Sequence, residues 1–232
     1  MSNSFIIKNK IKKFNNVISV PGDKSISIRW ILFSSLANGV SKAQNLLMSE
    51  DVIATLNTIK KLGIKTKLSK NYCKIYGEGL NGYRYKKNLV INAKNSGTLG
   101  RLILGFLINT PKSIRLIGDK SLSKRDFRRI SEPLSKFGAS FKLNNKKNLP
   151  LTICGSSHLK PIKYFEKRGS AQCKSAVILG AIRTEGTTVI KAKKSRNHTE
   201  LLCKHLDLPI TIKKSKTYDI IKIKKVKKIR SL

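Results

Sequence analysis

The sequence KKLGIKTKL at Lys60–Leu68 indicates the architecture of the chain, because its pattern occurs three times. It returns as SKFGASFKL at Ser135–Leu143 and, more faintly, as KHLDLPITI at Lys204–Ile212. Each copy is typical of a helix that ends at a glycine-type cap and is followed by strands. The cap residues recur at nearly equal intervals along the chain: Gly63, Gly138 and Asp207. The chain is therefore predicted to repeat a unit of roughly 70 residues.

Three predicted helix starts recur at nearly the same interval as the cap residues. They are evenly spaced, and each follows a short apolar run that we predict to be a strand: Lys24, Gly97 and Ser170. These runs are VISVP, LVINA and PIKYF, and the segments after the helix starts are apolar enough to be buried helices. A third set, with almost the same spacing, offers N-caps for a second helix in each unit: Ser49, Ser123 and Ser195.

Together these marks predict an α/β fold of three βαβαββ units in a pseudo-threefold arrangement. The predicted units cover about residues 16–79, 88–155 and 160–225. Because each first helix begins directly after a strand, its free N–H groups and positive dipole end are available to an anion. Three such helix starts would converge on one site.

The composition fits a folded domain with a large positive charge. Of the 232 residues, 40% are hydrophobic, and 49 Lys and Arg against 12 Asp and Glu give a net charge of +37. No run approaches the roughly 18 apolar residues of a membrane span, and the N-terminus lacks the features of a signal peptide. We therefore expect a cytoplasmic protein. The cysteines and histidines show no metal-ligand spacing, so no metal site is expected.

The positive charge admits two interpretations. It suggests an anionic partner, with the acid-poor segment 213–230 as an RNA-binding tail. However, Lys outnumbers Arg 38 to 11, and Lys, Ile and Asn are frequent throughout, as drift toward A+T-rich codons would produce. The alternation of Ile or Val with Lys in this segment also suits a half-buried edge strand. We favour drift, and nucleic acid is the less favoured partner.

Polar residues at the helix starts suit anionic groups. In PGDKSISIR, Lys24 and Ser25 can hold a phosphate and Arg29 a carboxylate, although the Walker A pattern is absent. The other first helices begin in NAKNSGTLGR and GSAQCKSA, where Asn95, Ser170 and Gln172 are polar and Gly97 would let the backbone approach a ligand closely. The second helices add further cations and hydroxyls: Arg125, Ser195 and Arg196. Taken one at a time, ordinary helix capping explains each start at least as well.

Taken together, the motifs resemble those of the EPSP synthases, the 3-phosphoshikimate 1-carboxyvinyltransferases of aromatic amino-acid biosynthesis. The similar phrases include PGDKSISIRWILFSSLANG, NSGTLGRL, GDKSLSKRDFRRISEPLSKFGA, SAQCKSA and SRNHTELL, in this order. The resemblance extends from about Val17 to about Lys225. It implies one domain of the enolpyruvyl transferase fold, an inverse α/β barrel. UDP-N-acetylglucosamine enolpyruvyl transferase shares that fold but not these phrases.

The resemblance implies transfer of the enolpyruvyl group from phosphoenolpyruvate to the 5-hydroxyl of shikimate 3-phosphate, with release of phosphate and without a metal or cofactor. Eight residues would contact shikimate 3-phosphate: Lys24, Ser25, Arg29, Ser170, Ala171, Gln172, Ser195 and Arg196. Five residues would line the phosphoenolpyruvate pocket: Lys24, Asn95, Gly97, Arg125 and Gln172. Four positions depart from the family pattern without removing a principal anion ligand: Ile28 for His, Gly100 for Met, Asp126 for Pro and Asn197 for Asp.

Length is the largest departure, because family members have two such domains with the active site between them. We expect residues 16–225 to form the shikimate-phosphate-binding domain, residues 1–15 a strand that normally pairs with the second domain, and residues 226–232 a basic tail. The absent domain would supply the acid–base residues, since only Glu50 and Asp51 could face the cleft here. A companion chain that supplies it is an expected partner. The alternative function is a non-catalytic RNA-binding remnant.

Overall fold

The computed structural model describes residues 6, 8–10, 12–69 and 72–232. The first unit contains α1 (Lys24–Ser35), β1 (Asn38–Gln44), α2 (Glu50–Lys61), β2 (Lys65–Leu68) and β3 (Tyr72–Glu78). The second contains β4 (Leu89–Asn92), α3 (Gly97–Phe106), β5 (Ile114–Ile117), α4 (Lys120–Ser123), α5 (Arg128–Ser135), β6 (Ser140–Asn144) and β7 (Asn148–Cys154). The third contains β8 (Lys163–Glu166), α6 (Ala171–Ala181), β9 (Thr187–Lys193), α7 (His198–His205), β10 (Ile210–Lys214) and β11 (Tyr218–Lys224). None of the described helices is long and apolar enough to cross a membrane.

The three sheets confirm the predicted repeat. The strand order is β4-β5-β7-β6 in the second unit and β8-β9-β11-β10 in the third. In both sheets the first two strands run parallel and the other neighbours run antiparallel. The first unit has the matching order β1-β3-β2. The three predicted cap residues have positive φ angles of 91°, 120° and 55°: Gly63, Gly138 and Asp207.

The hydrophobic core contains the first helix of each unit, α1, α3 and α6. Nine of the ten residues of α3 are buried, so this helix is enclosed on all sides. Phe33 of α1 packs edge-on against Phe106 of α3, with ring centroids 5.6 Å apart. α3 also approaches α6 closely, because a Cβ added to Gly105 would lie 2.4 Å from the carbonyl oxygen of Ala176. This packing fixes the three helices relative to one another.

The segment before α1 differs from the prediction. The sequence predicts a strand at Val17–Pro21, yet residues 12–23 form no strand, and Val17, Ile18 and Val20 are exposed. The strand predicted for residues 1–15 falls partly outside the described residues, at positions 1–5, 7 and 11. Its described residues, 6, 8–10 and 12–15, form no strand either.

The segment 226–232, expected to be a basic tail, docks instead along β1. The carbonyl oxygen of Ile229 accepts a hydrogen bond from the Asn38 N–H at 2.8 Å, and that of Leu232 accepts from the Lys42 N–H at 2.7 Å. Asn38 and Arg230 form a parallel bridge, and the side chain of Ile229 is fully buried. The segment thus lies beside β1 as β4 lies beside β5. Because this edge of β1 is occupied, Val17–Pro21 cannot pair with it as a strand.

The predicted N-caps of the second helices need correction. Ser49 precedes α2, but its side chain makes no capping hydrogen bond. Ser123 ends α4, whose cap is Asp119, and α7 begins after Asn197 rather than after Ser195. The spacing of the repeat therefore locates the starts of these helices to within a few residues. The identity of the N-cap residue depends instead on which side chain reaches a free backbone N–H.

The docked segment should contribute to stability through Ile229. We expect Ile229→Ala to lower the free energy of unfolding by roughly 2–5 kcal/mol, because it removes a buried side chain and leaves a cavity. Urea denaturation followed by circular dichroism measures this change. The matched control is the exposed neighbour Lys228, whose change to Ala should alter stability by less than about 0.5 kcal/mol. Equal effects of the two substitutions would contradict the docking.

Candidate anion-binding site

One cavity of about 560 Å³ collects residues from the helix starts of all three units. Seven residues singled out from the sequence line it: Lys24, Ser25, Asn95, Gly97, Arg125, Gln172 and Arg196. Its other lining residues are Glu50, Asp51 and Thr98. A larger cavity of about 990 Å³ lies beyond the C-terminal ends of the buried helices, around Arg183, and contains none of the predicted residues. The smaller cavity is therefore the candidate site.

Arg29 lies behind the cavity rather than in its wall. Its guanidinium donates to the hydroxyl of Ser25 at 2.7 Å, to Thr199 Oγ1 at 2.7 Å and to Ser175 Oγ at 3.2 Å. Burial, with a smaller contribution from nearby Arg196, lowers the pKa of Arg29 to about 10, although Glu200 opposes this. The guanidinium therefore remains charged at neutral pH. Here Arg29 meets the cavity through Ser25, and its direct contact with a substrate stays a prediction.

Three further predicted residues stand beside the cavity without lining it. Ser170 caps α6, since its Oγ accepts a hydrogen bond from the Cys173 N–H at 3.3 Å. A hydroxyl that accepts in this way can still donate its proton to an anion. Ala171 is the first residue of α6, and Ser195 Oγ is buried without a hydrogen-bond partner among the described residues. The roles of all three stay predictions.

The amide of Gln172 is oriented by two residues of α3. Its Oε1 accepts a hydrogen bond from Arg101 Nη1 at 2.7 Å, and its Nε2 donates to Thr98 Oγ1 at 2.9 Å. Arg101 is 7% exposed, and desolvation lowers its pKa. The sequence argument missed Arg101 as a functional residue. The signal was its position one helical turn after Gly97, on the face that carries the cavity.

Gly97 leaves room for two guanidinium groups. A Cβ at this position would lie 2.5 Å from Arg101 Nη1 and 3.1 Å from Arg125 Nη1. Nearby, Asn95 Nδ2 donates to the carboxylate of Asp119 at 2.8 Å, and the other oxygen of this carboxylate caps α4. The start of α3 is therefore a place where backbone, amide and guanidinium donors crowd together, as recognition of an oxyanion requires.

Lys24 is held by an acidic neighbour on the cavity wall. Its Nζ lies 3.3 Å from Asp51 Oδ2, and Glu50 stands beside them. These are the two acids that the sequence analysis expected to face the site. Lys24 is half exposed, so the ion pair adds little to stability, but it fixes where the ammonium group lies. Among the residues that the structure describes, no group of three or more metal-ligating side chains could hold an ion.

Comparison with known proteins shows which family shares the sequence and the fold of this chain. The family model for EPSP synthase (3-phosphoshikimate 1-carboxyvinyltransferase) matches residues 8–231. The chain belongs to the EPSP synthase family. It is 42% identical over 196 residues to a 3-phosphoshikimate 1-carboxyvinyltransferase of Caldicellulosiruptor bescii, a match that covers 84% of this chain and 45% of the relative. The relative of that name from Streptococcus suis is also 42% identical over 196 residues, 84% of this chain and 46% of its own.

A solved structure agrees with the sequence relatives. EPSP synthase from Acinetobacter baumannii superimposes with a TM-score of 0.84 at 32% identity, over 92% of this chain and 48% of that one. The chain therefore spans about half the length of the relatives that it matches. Its three units correspond to one domain of the EPSP synthase fold.

Two departures from the EPSP synthase pattern have clear places in the structure. Ile28, where the family usually has His, is fully buried in the core on α1. Asp126, where it usually has Pro, accepts hydrogen bonds from the guanidinium and from the backbone N–H of Arg128, which lower the pKa of its carboxyl. Neither side chain lines the candidate site. These two departures therefore do not alter the lining of the candidate site in this EPSP synthase domain.

A buried ion pair joins α6 to α7 in this EPSP synthase domain. Lys174 Nζ lies 2.6 Å from Glu200 Oε1, and both side chains are almost fully buried. The contact is an ion pair without good hydrogen-bond alignment, and Glu200 Oε2 has no partner among the described residues. Glu200 also acts electrostatically on Arg29. The pair therefore links the helix that begins near Ser170 with the one that begins near Arg196.

Removal of one partner should destabilise the domain more than removal of both. We expect Lys174→Met to lower the free energy of unfolding by about 3–5 kcal/mol, because it leaves the Glu200 charge buried and unpaired. The double variant Lys174→Met/Glu200→Leu should recover most of this loss. Urea denaturation of the two variants tests the expectation. A double variant no more stable than Lys174→Met would show that packing, rather than the charge, dominates.

Proposed function

We propose that this chain forms the shikimate-3-phosphate-binding half of an enolpyruvyl transferase. The reaction would join the 5-hydroxyl oxygen of shikimate 3-phosphate to C2 of phosphoenolpyruvate while the hydroxyl loses its proton and a proton adds to C3. Loss of one proton from the resulting C3 methyl group, with cleavage of the bond between C2 and the phosphate oxygen, would then release phosphate and give the enolpyruvyl ether. The observation that carries this proposal is the cavity in which seven motif residues from three separate units meet.

Both substrates carry a phosphate and a carboxylate, and the cavity suits such ligands. Lys24, Arg125 and Arg196 give it three cationic groups, one from each unit. Gln172 lies between the sets proposed for the two substrates, with its amide fixed by Arg101 and Thr98. We propose that shikimate 3-phosphate binds on the α1, α6 and α7 side and phosphoenolpyruvate on the α3 side.

Acid–base chemistry needs more than this cavity offers. Its two carboxylates are Glu50 and Asp51, and Asp51 is already engaged by Lys24. We propose that a second domain supplies the acid–base group, from the part of the family's length that this chain does not span. Exposed apolar side chains on α1 and on the segments that lead into α1 and α2 would offer that domain a surface to cover: Val17, Ile18, Val20, Ile26 and Met48.

The domain itself would then be the stretch 16–225 together with the docked segment 226–232. A companion polypeptide, or a longer form of the same one, would complete the cleft. We also propose a cytoplasmic location, because the four cysteines are free thiols, as expected in a reducing compartment: Cys73, Cys154, Cys173 and Cys203.

Calorimetric titration with shikimate 3-phosphate tests the binding function directly. We expect saturable heat with the folded chain, and an affinity at least about tenfold lower in Lys24→Met, since a charge-assisted hydrogen bond contributes about 1.5–3 kcal/mol. The matched control is Lys213→Met, an exposed lysine of β10 outside the cavity, which removes the same charge and should bind normally. Absence of heat at millimolar ligand in a folded sample would contradict the proposal.

A further inference from the structure

Glu166 is a buried carboxylate that holds the loop before α6. It is the last residue of β8 and is 2% exposed. Its Oε1 accepts a hydrogen bond from the Arg168 N–H at 3.3 Å, and its Oε2 accepts from the Ser170 N–H at 2.8 Å. Glu166 takes part in none of the ion pairs formed by the described residues. Its carboxylate therefore binds backbone N–H groups of the loop rather than a cationic side chain.

The second unit contains a related contact. Asn92, the last residue of β4, stands in the second unit where Glu166 stands in the third. Its Oδ1 accepts a hydrogen bond from the Lys94 N–H at 2.8 Å, two residues ahead, as Glu166 does with Arg168. In both units the residue that ends the first strand thus holds the turn into the buried helix. Only the longer Glu166 side chain also reaches the residue four positions ahead.

This contact determines what the start of α6 can offer a ligand. The Ser170 N–H is occupied by Glu166, and Ser170 Oγ accepts from the Cys173 N–H. The groups left for an anion are the hydroxyl proton of Ser170 and the N–H groups of Ala171 and Gln172. Gly169, with φ of +70°, lies in the held turn and can adopt many other conformations when it is released.

We propose that Glu166 is a positioning residue that sets the start of α6 before the ligand arrives. It acts through Ser170 and touches no substrate. The inference rests on the proposed function, because the ligand whose site it presets is shikimate 3-phosphate. A preset loop loses less conformational entropy on binding, so Glu166 should raise the affinity without a contact of its own.

The length of the side chain provides the test. Glu166→Asp keeps the charge but shortens the reach to that of Asn92, so it should keep the bond to Arg168 and lose the bond to Ser170. In the ligand-free chain, NMR hydrogen exchange should then become at least tenfold faster at the Ser170 amide and change little at the Arg168 amide. The affinity for shikimate 3-phosphate, measured by calorimetry, should fall at least fivefold.

A stability control separates positioning from general weakening of the sheet. Ile223→Val removes a methylene from the buried face of β11 in the same sheet and should lower the melting temperature without changing the affinity. An affinity unchanged in Glu166→Asp, or a loss no larger than that in Ile223→Val, would overturn the proposal. If the wild-type chain gives no heat with shikimate 3-phosphate, the proposed function is contradicted instead. In that case the exchange measurement still tests the loop, because equal exchange rates of the Ser170 amide in Glu166→Asp and in the wild type would show that Glu166 does not hold the loop.

Discussion

The structure depends on the convergence, at one end of the domain, of the starts of three helices whose bodies are buried. α1, α3 and α6 bring free N–H groups and positive dipole ends to a cavity that also contains Lys24, Arg125 and Arg196. Lys24 is already paired with Asp51, whereas Arg125 and Arg196 take part in none of the ion pairs formed by the described residues, so their positive charges are the ones that an entering anion would neutralise. The packing of the helices in the core maintains the arrangement, so the free energy of folding holds the groups that line the candidate site in place.

The hydroxyl and guanidinium network behind the cavity links its walls. Arg29 on α1 donates to Thr199 on α7 and to Ser175 on α6, and Thr199 itself donates to Ser175 at 2.7 Å. These contacts fix the guanidinium, and the guanidinium in turn fixes the hydroxyl of Ser25 in the cavity wall. If a ligand binds at Ser25 as proposed, this network would preorganise the hydroxyl for it. The same reasoning applies to Glu166 and Ser170, where a carboxylate rather than a cation fixes the residue whose hydroxyl is proposed to bind the ligand.

Local features of the fold were predictable from the sequence, and non-local ones were not. The repeat, the left-handed cap residues and the starts of α1 and α3 follow from short-range patterns of apolar residues, glycines and caps. The strand predicted at Val17–Pro21 was wrong because pairing depends on which segment occupies the edge of β1. Sequence patterns did not indicate the roles of Arg101, Asp119 and Glu166, because the hydrogen-bond partners of these residues lie across turns or on other helices. Motif residues such as Lys24 were found because each stands at a recognisable helix start.

The docked C-terminal segment changes how the repeat should be understood. In an array of stacked repeats each unit contacts only its neighbours, and stability is nearly a sum over units. Here the first unit completes its sheet with Ile229 and Leu232, from the far end of the chain. The ends of the repeat are thereby joined, so the first sheet is complete only when the segment that follows the third unit has docked on β1. Such long-range closure favours a single cooperative transition and slower folding. It also ties the anion-binding cavity, to which all three units contribute, to that one transition.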